Sequence, residues 1–271
     1  MPPRPDDAVI QLDDVVVRRG ATTLVGPVSW RVAAGERWAI VGPNGSGKTT
    51  LLRVASSYLW PSSGRVTLLG ERLGSVDARE LRRRVGYASP ALAGELPDDL
   101  VARDVVVTAR HAALGPWWHE YAPADLDRGD ALLERMGCIA LADRAFGTLS
   151  SGERGRVQIA RALMAEPELL LLDEPAAALD LGAREALIDA LAGLVADASL
   201  LAIVLVTHHL EEIPPGFDRA LVLGRGRAVA AGPIDEAISD AALSAAYGLP
   251  LVVERTDGRF HARRARDRAR G

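Results

Sequence analysis

Short apolar runs punctuate the chain, and their spacing alternates between two periods. "AVIQLDDVVVRR" and "PVSWRVAAGERWAIVG" are strand-like, and the latter is broken by a turn at Ala34-Gly35. After a glycine-rich stretch, "TTLLRVASSYL" sets Leu51, Leu52, Ala55 and Leu59 at helical spacing on one face. "GRVTLLG" predicts another strand and "DARELRRR" a short helix. From about Pro90 to Ala165 the strand signal fades, and "ARDVVVTARHAAL", "ADLDRGDALLERMG" and "GERGRVQIARALMA" carry helical patterns. Strands return at "ELLLLD", "SLLAIVLVT" and "RALVLGRGRAVAAG". Runs of apolar residues that do not alternate belong to strands buried on both faces, so the pattern predicts an α/β sheet flanked by helices. It also predicts a helical subdomain inserted at about 90–165. No internal repeat is evident.

Composition narrows the class. The chain has 271 residues, 48% apolar and 25% charged, the balance of a soluble domain with a sizeable core. A net charge of −4 argues against general nucleic-acid binding. The single cysteine, Cys138, rules out an intrachain disulfide and fits the cytosol. The start "MPPRPDDAVIQLDD" lacks the features of a secretory signal, and no run reaches the roughly 18 apolar residues of a membrane helix.

Lys48 is the only lysine among 32 basic residues. It lies in "GPNGSGKT", made of Gly42, Pro43, Asn44, Gly45, Ser46, Gly47, Lys48 and Thr49, with Thr50 following. The stretch fits the phosphate-binding loop G-x-x-x-x-G-K-[ST], between the strand "RWAIV" and a helix. Glycines let backbone N–H groups converge on one anion, and the helix start adds its dipole. A compact ammonium suits so tight a curl, where a planar guanidinium does not. Asp173 and Glu174 close the strand "LLLLDE", at the edge where open α/β sheets bind ligands. Adjacent strand residues face opposite ways, so one carboxylate is available to a metal and the other to an attacking water. "LSSGE", from Leu149 to Glu153, is a helix-starting capping box; it also offers an anion site at Ser150 and the Gly152 amide. His208 and His209 stand side by side without a cluster that would make them a metal site.

Over residues 8 to 235 the chain resembles the nucleotide-binding subunit of ABC transporters. "GPNGSGKTT" matches the Walker A loop, "LSSGE" the signature, "LLLLDE" the Walker B strand, "AALD" the D-loop and "VTHH" the switch histidine. The resemblance implies a P-loop NTPase fold with a mixed sheet, an antiparallel N-terminal β subdomain and the helical signature subdomain, as one domain over 8–248 with a C-terminal extension over 249–271. It implies ATP and Mg²⁺ as cofactors, and a homodimer sandwiching two nucleotides. Lys48 and the loop amides would hold the β- and γ-phosphates, and Thr50 would reach the α-phosphate. Thr49 and Asp173 would serve the metal, and Glu174 would be the general base. His208 would contact the γ-phosphate, and Asp180 would link the two sites. Ser150, Ser151 and Gly152 would cap the nucleotide of the opposite subunit. A separate membrane permease would be the partner, with a solute-binding protein if the system imports. The chain would then be cytoplasmic, at the inner face of the membrane.

The sequence departs from the family at several points. Arg19 occupies the place of the aromatic ring that stacks on adenine, a role a guanidinium plane can fill. Pro90 stands where the family carries a metal-sensing glutamine, and Ser89 before it would supply an oxygen to the metal through water. Ser151 and Glu153 replace a glycine and a glutamine of the signature. Trp117, Trp118 and Tyr121 suit either a permease interface or internal packing. The tail from Arg263 to Arg270 reads as a solvated end, with anionic lipid the alternative. The absence of a fused membrane segment favours an importer, and "AAYGLPLVVERTDGRFHARR" resembles the ends of metal-chelate and oxyanion importer ATPases. A soluble ABC-type ATPase without a permease is the other reading.

Overall fold

A computed structural model of the chain describes residues 8–111, 113–115, 120–177, 179–197 and 202–265. Strands β1 (Ala8–Arg19) and β2 (Thr22–Ala33) form an antiparallel ribbon that sets Ile10 against Val32 and Leu12 against Trp30. β4 (Ser63–Leu68) and β5 (Glu71–Arg72) extend it to a four-stranded sheet in the order β2-β1-β4-β5. This is the antiparallel β subdomain the sequence predicts.

The turn after β2 passes through Gly35, at φ 89°, and sends β3 (Arg37–Val41) into the middle of a second sheet. That sheet has six strands, ordered β10-β9-β3-β8-β7-β6. They are β6 (Val85–Ala88), β7 (Leu169–Asp173), β8 (Ala202–Thr207), β9 (Arg219–Gly224) and β10 (Arg227–Pro233), with β3. All pairings are parallel except β9 with β10, so the sheet is mixed. β3, β6, β7 and β8 present their C-terminal ends along one edge.

Both faces of this sheet are covered, which is why its strands lack alternation. Trp38, Ile40, Leu169 and Leu171 pack toward the antiparallel sheet and helix α1 (Lys48–Ala55), while Ala39, Val41, Leu170 and Leu172 join the opposite core. The second core holds α4 (Ala102–Val107), α5 (Pro123–Arg135), α6 (Ser151–Met164) and α7 (Leu181–Val195). α6 packs against α4, α5 and β6, which ties the helical subdomain to the sheet. The remaining helices are α2 (Ala78–Arg84), α3 (Pro90–Ala93), α8 (Ile234–Ala237) and α9 (Asp240–Tyr247). Among the described residues no helix is long and apolar enough to cross a membrane.

Three elements go beyond the sequence pattern. β6 is only four residues long, all buried, too short to show a period. α3 is a single turn capped by Ser89 inside what reads as a loop. The C-terminal extension contains a hairpin, β11 (Leu251–Thr256) and β12 (Arg259–Arg264), closed by Asp257-Gly258 with both residues at positive φ. Asp-Gly between two strand-like runs is a strong hairpin signal. Arg263 pairs with Glu254 across this hairpin, Arg264 ends β12, and the tail from 266 onward lies outside the described residues. So do Trp117 and Trp118. Tyr121 packs on the core beside the ring of His111, the internal option for that aromatic.

Candidate active site

The loop from Gly42 to Gly47 joins β3 to α1 at the ligand edge of the sheet. Gly42 sits at φ 154°, and a Cβ there would lie 2.1 Å from the Leu223 carbonyl oxygen. Gly47 caps α1 at φ 97°, with a would-be Cβ 3.0 Å from the Leu24 carbonyl oxygen. Both positions therefore require glycine. α1 starts with no side-chain cap and no acidic residue in its first turn, which leaves its first N–H groups free for an outside anion.

Lys48 is 5% exposed. Its Nζ donates to the carbonyls of Gly42 (2.9 Å) and Pro43 (3.2 Å) and lies 3.6 Å from Glu174 Oε1. Burial lowers its pKa, opposed by the nearby Glu174 charge. Asn44, Gly45, Lys48, Thr49, Thr50 and Glu174 line a 460 Å³ cavity over the loop. Thr49 Oγ1 donates to Asp173 Oδ1 at 3.0 Å. Burial pushes the Asp173 carboxyl up to about 6, against the lowering effect of that hydrogen bond.

Glu174 follows directly, with φ 49°, a conformation uncommon for a residue with a side chain. Its N–H donates to the Val206 carbonyl, fixing it to β8. His208 Nδ1 stands 3.3 Å from Glu174 Oε1 but makes no well-aligned hydrogen bond. Glu174 thus lies between the loop lysine and the histidine. His209 is half exposed beside Glu211, as expected for a surface residue.

Residues both near and far in sequence support the histidine turn, and sequence reasoning missed them. Thr207 Oγ1 donates to the buried Glu212 carboxylate and accepts from the His209 N–H. Tyr247 donates to the His208 carbonyl at 3.3 Å. Arg259, on the C-terminal hairpin, donates to the Glu211 carbonyl and the Glu185 carboxylate. No spacing rule links these positions. Only the Asp257-Gly258 turn hinted at the hairpin that carries Arg259.

The signature segment stands apart. Ser150 caps α6, and its N–H and hydroxyl both donate to Glu153, at 2.8 and 2.9 Å. Ser151 is exposed. At Gly152 a Cβ would lie 1.9 Å from Leu179. Asp180 caps α7 by accepting from the Ala183 N–H at 2.8 Å. None of Ser150, Ser151 and Gly152 lines the cavity over the phosphate loop. A second cavity, of 570 Å³, separates α6 from the strand ends and has Ser89, Ser151, Gln158, Asp173 and Glu174 in its wall. Ser89 is buried there and accepts from the Leu92 N–H as the cap of α3. Arg19 ends β1, exposed, opposite Thr22, and is not in the wall of the loop cavity, to which Leu24 contributes.

An uncapped helix start behind a glycine curl, a buried lysine and two carboxylates at a strand end define a nucleoside-triphosphate site of the P-loop class. The family model described as "ABC transporter" matches residues 25–177, and the chain belongs to that family. It is 39% identical over 90% of its length to "Uncharacterized ABC transporter ATP-binding protein YlmA" of Bacillus subtilis (strain 168), covering 93% of that protein. It is 38% identical over 93% of its length to "Hemin import ATP-binding protein HmuV" of Rhodococcus jostii (strain RHA1), covering 84% of it. Among solved structures, the ATP-binding cassette MJ0796, in a dimeric post-hydrolysis state with ADP and Pi, superposes with a TM-score of 0.72 at 25% identity, covering 83% of this chain and 98% of that one. The chain is therefore an ABC-type ATPase.

Proposed function

We propose that the chain binds Mg-ATP, dimerises around two nucleotides and drives a separate membrane permease of the importing kind. The observation that carries the reading is the contact set around Glu174: Lys48 at 3.6 Å and His208 at 3.3 Å share one carboxylate oxygen, while the adjacent Asp173 holds Thr49. In this reading the α1 amides and Lys48 grip the β- and γ-phosphates, and Thr50 reaches the α-phosphate. Arg19 stacks on the base from the rim. Glu174 takes the proton of the attacking water, and His208 steadies the γ-phosphate. Positioning and charge neutralisation carry most of phosphoryl transfer, so this group suffices in kind.

The oxygen donors Thr49 and Asp173, with Ser89 in the same neighbourhood, suit a hard cation that brings its other ligands as water and phosphate. No cluster of three metal-ligating side chains occurs among the described residues, in keeping with a metal that arrives with the nucleotide. Bound there, magnesium neutralises the phosphate charge.

Dimerisation is supported by the signature residues' absence from the loop cavity, which leaves the outer side of the phosphates to a second copy. Ser150, Ser151, Gly152 and Asp180 would act there. The permease is supported by a 380 Å³ groove where Tyr58, Arg79, Arg82, Arg83, Tyr87 and Arg161 converge. The hemin- and phosphonate-import names of relatives favour import, with a solute-binding protein as a further partner and the cytoplasmic face of the membrane as the site of action. Glu174→Gln tests the core of the reading. Turnover is expected to fall by about 10³-fold with ATP affinity retained and a stable dimer trapped. Hydrolysis at the original rate would overturn the base assignment, and a monomer at saturating ATP would overturn the sandwich.

A further inference from the structure

Gln158 lies two turns into α6, on the face it shares with Ser151, Arg154 and Gly155, while Val157, Ile159, Ala160 and Leu163 are buried elsewhere around the same helix. It is 4% exposed, and its carboxamide Nε2 is buried without a hydrogen-bond partner. An unpaired buried amide lowers stability, and an apolar residue at the same place would not. The wall in which Gln158 stands gives the amide a use. It forms part of the 570 Å³ cavity that also exposes Asp173 and Glu174. Gly155, one turn earlier on the same face, lines that cavity too and leaves it open toward the Pro175 carbonyl, 3.2 Å from where a Cβ would stand. Two other polar side chains of that wall are already engaged: Ser89 caps α3, and Arg154, one turn before Gln158, donates to the carbonyls of Leu149 and Gly147.

Glu174 has a matching need. Its Oε1 leans on Lys48, whose ammonium must turn to the phosphates when nucleotide enters the loop. The carboxylate then loses a donor at the moment its orientation matters. A neutral N–H donor can replace the ammonium without quenching the carboxylate's basicity. α6 faces the strand ends across a cavity, and closing that gap brings the amide toward Glu174.

We propose that Gln158 is a positioning residue for hydrolysis: as α6 closes on the strand ends, its carboxamide hydrogen-bonds to Glu174 and the water beside it and fixes the direction of attack. This rests on the reading of Glu174 as general base. The test compares Gln158→Met and Gln158→Leu in the full chain with Glu174 intact. The nucleotide-free variants are expected to keep or raise the thermal midpoint. The dissociation constant for a fluorescent ATP analogue should stay within about twofold, and kcat should fall about tenfold with KM unchanged. Turnover at the parental rate in either variant overturns the proposal. So does a joint loss of midpoint, affinity and turnover, which marks a purely structural glutamine. Undiminished hydrolysis by Glu174→Gln alone would instead defeat the underlying reading of the base, whatever the Gln158 variants do.

Discussion

The two helices that open onto this site begin in opposite ways. α1 starts at Gly47 with no capping side chain and no acid in its first turn. α6 starts at Ser150 with a complete capping box, its end occupied by the Glu153 carboxylate. Hydrogen bonds from Ser150 lower the pKa of Glu153, so the box holds a charged group at neutral pH. Both ends carry the same partial positive charge. The first is left for an outside anion, and the second already has one of its own. A single chain thus holds an open helix start at its phosphate loop, whereas in the proposed sandwich its signature end would have to give up an internal partner before engaging another copy's nucleotide.

The sharpest way to break this contrast is Lys48→Arg, which keeps the charge and changes its shape. Lys48 is buried against the loop carbonyls, and the planar guanidinium is too wide for that curl. Calorimetric titration with ATP should show affinity lower by about 2–3 kcal/mol, the scale of a lost charged hydrogen-bond set. Retained affinity would mean that any cation serves and that the glycine curl is not selective.

A second, smaller effect separates the two ends by pH. Burial raises Asp173 from 3.8 to about 6, so the fold disfavours its charged form. For the nucleotide-free chain this contribution to stability is complete below pH 3.8 and lost as the pH rises through about 6. In the proposed role Asp173 would serve the metal in its ionised form, so affinity for Mg-ATP should fall by about tenfold per unit below that value. Glu153 is shifted the other way and stays charged throughout this window. Equilibrium titrations from pH 7 to 5 check it; a flat profile would remove Asp173 from the metal shell.

Legibility in the sequence follows the same division. The phosphate loop announces itself because Gly42 and Gly47 are forced by backbone conformation and close approach, and such needs leave a fixed residue spacing. The strands of the six-stranded sheet read as unbroken apolar runs because both faces are buried, with the Asp173–Glu174 pair marking the strand end. The supports of His208 left no such trace. Thr207 reaches Glu212 within one turn, but Tyr247 and Arg259 arrive from elements whose docking depends on the whole fold. β6 escaped because four buried residues define no period. Gln158 looks like any polar helix residue until its amide proves buried and unpartnered.

The finest probe of the contrast is Glu153→Gln. The substitution keeps an oxygen for the Ser150 N–H but removes the charge that neutralises the start of α6. The isolated chain should lose only about 0.5–1 kcal/mol, seen as a small drop in thermal midpoint, because cap and dipole effects at an exposed helix end are of that size. Association should move the opposite way. In a Glu174→Gln chain saturated with ATP, the uncharged signature end no longer competes with the partner's phosphate, and the dimer should tighten by about two- to fivefold in sedimentation experiments, a gain of the dipole-effect scale. If the dimer instead weakens in step with the fold, the Glu153 carboxylate supports the interface, and the two helix starts are alike in function despite their different caps.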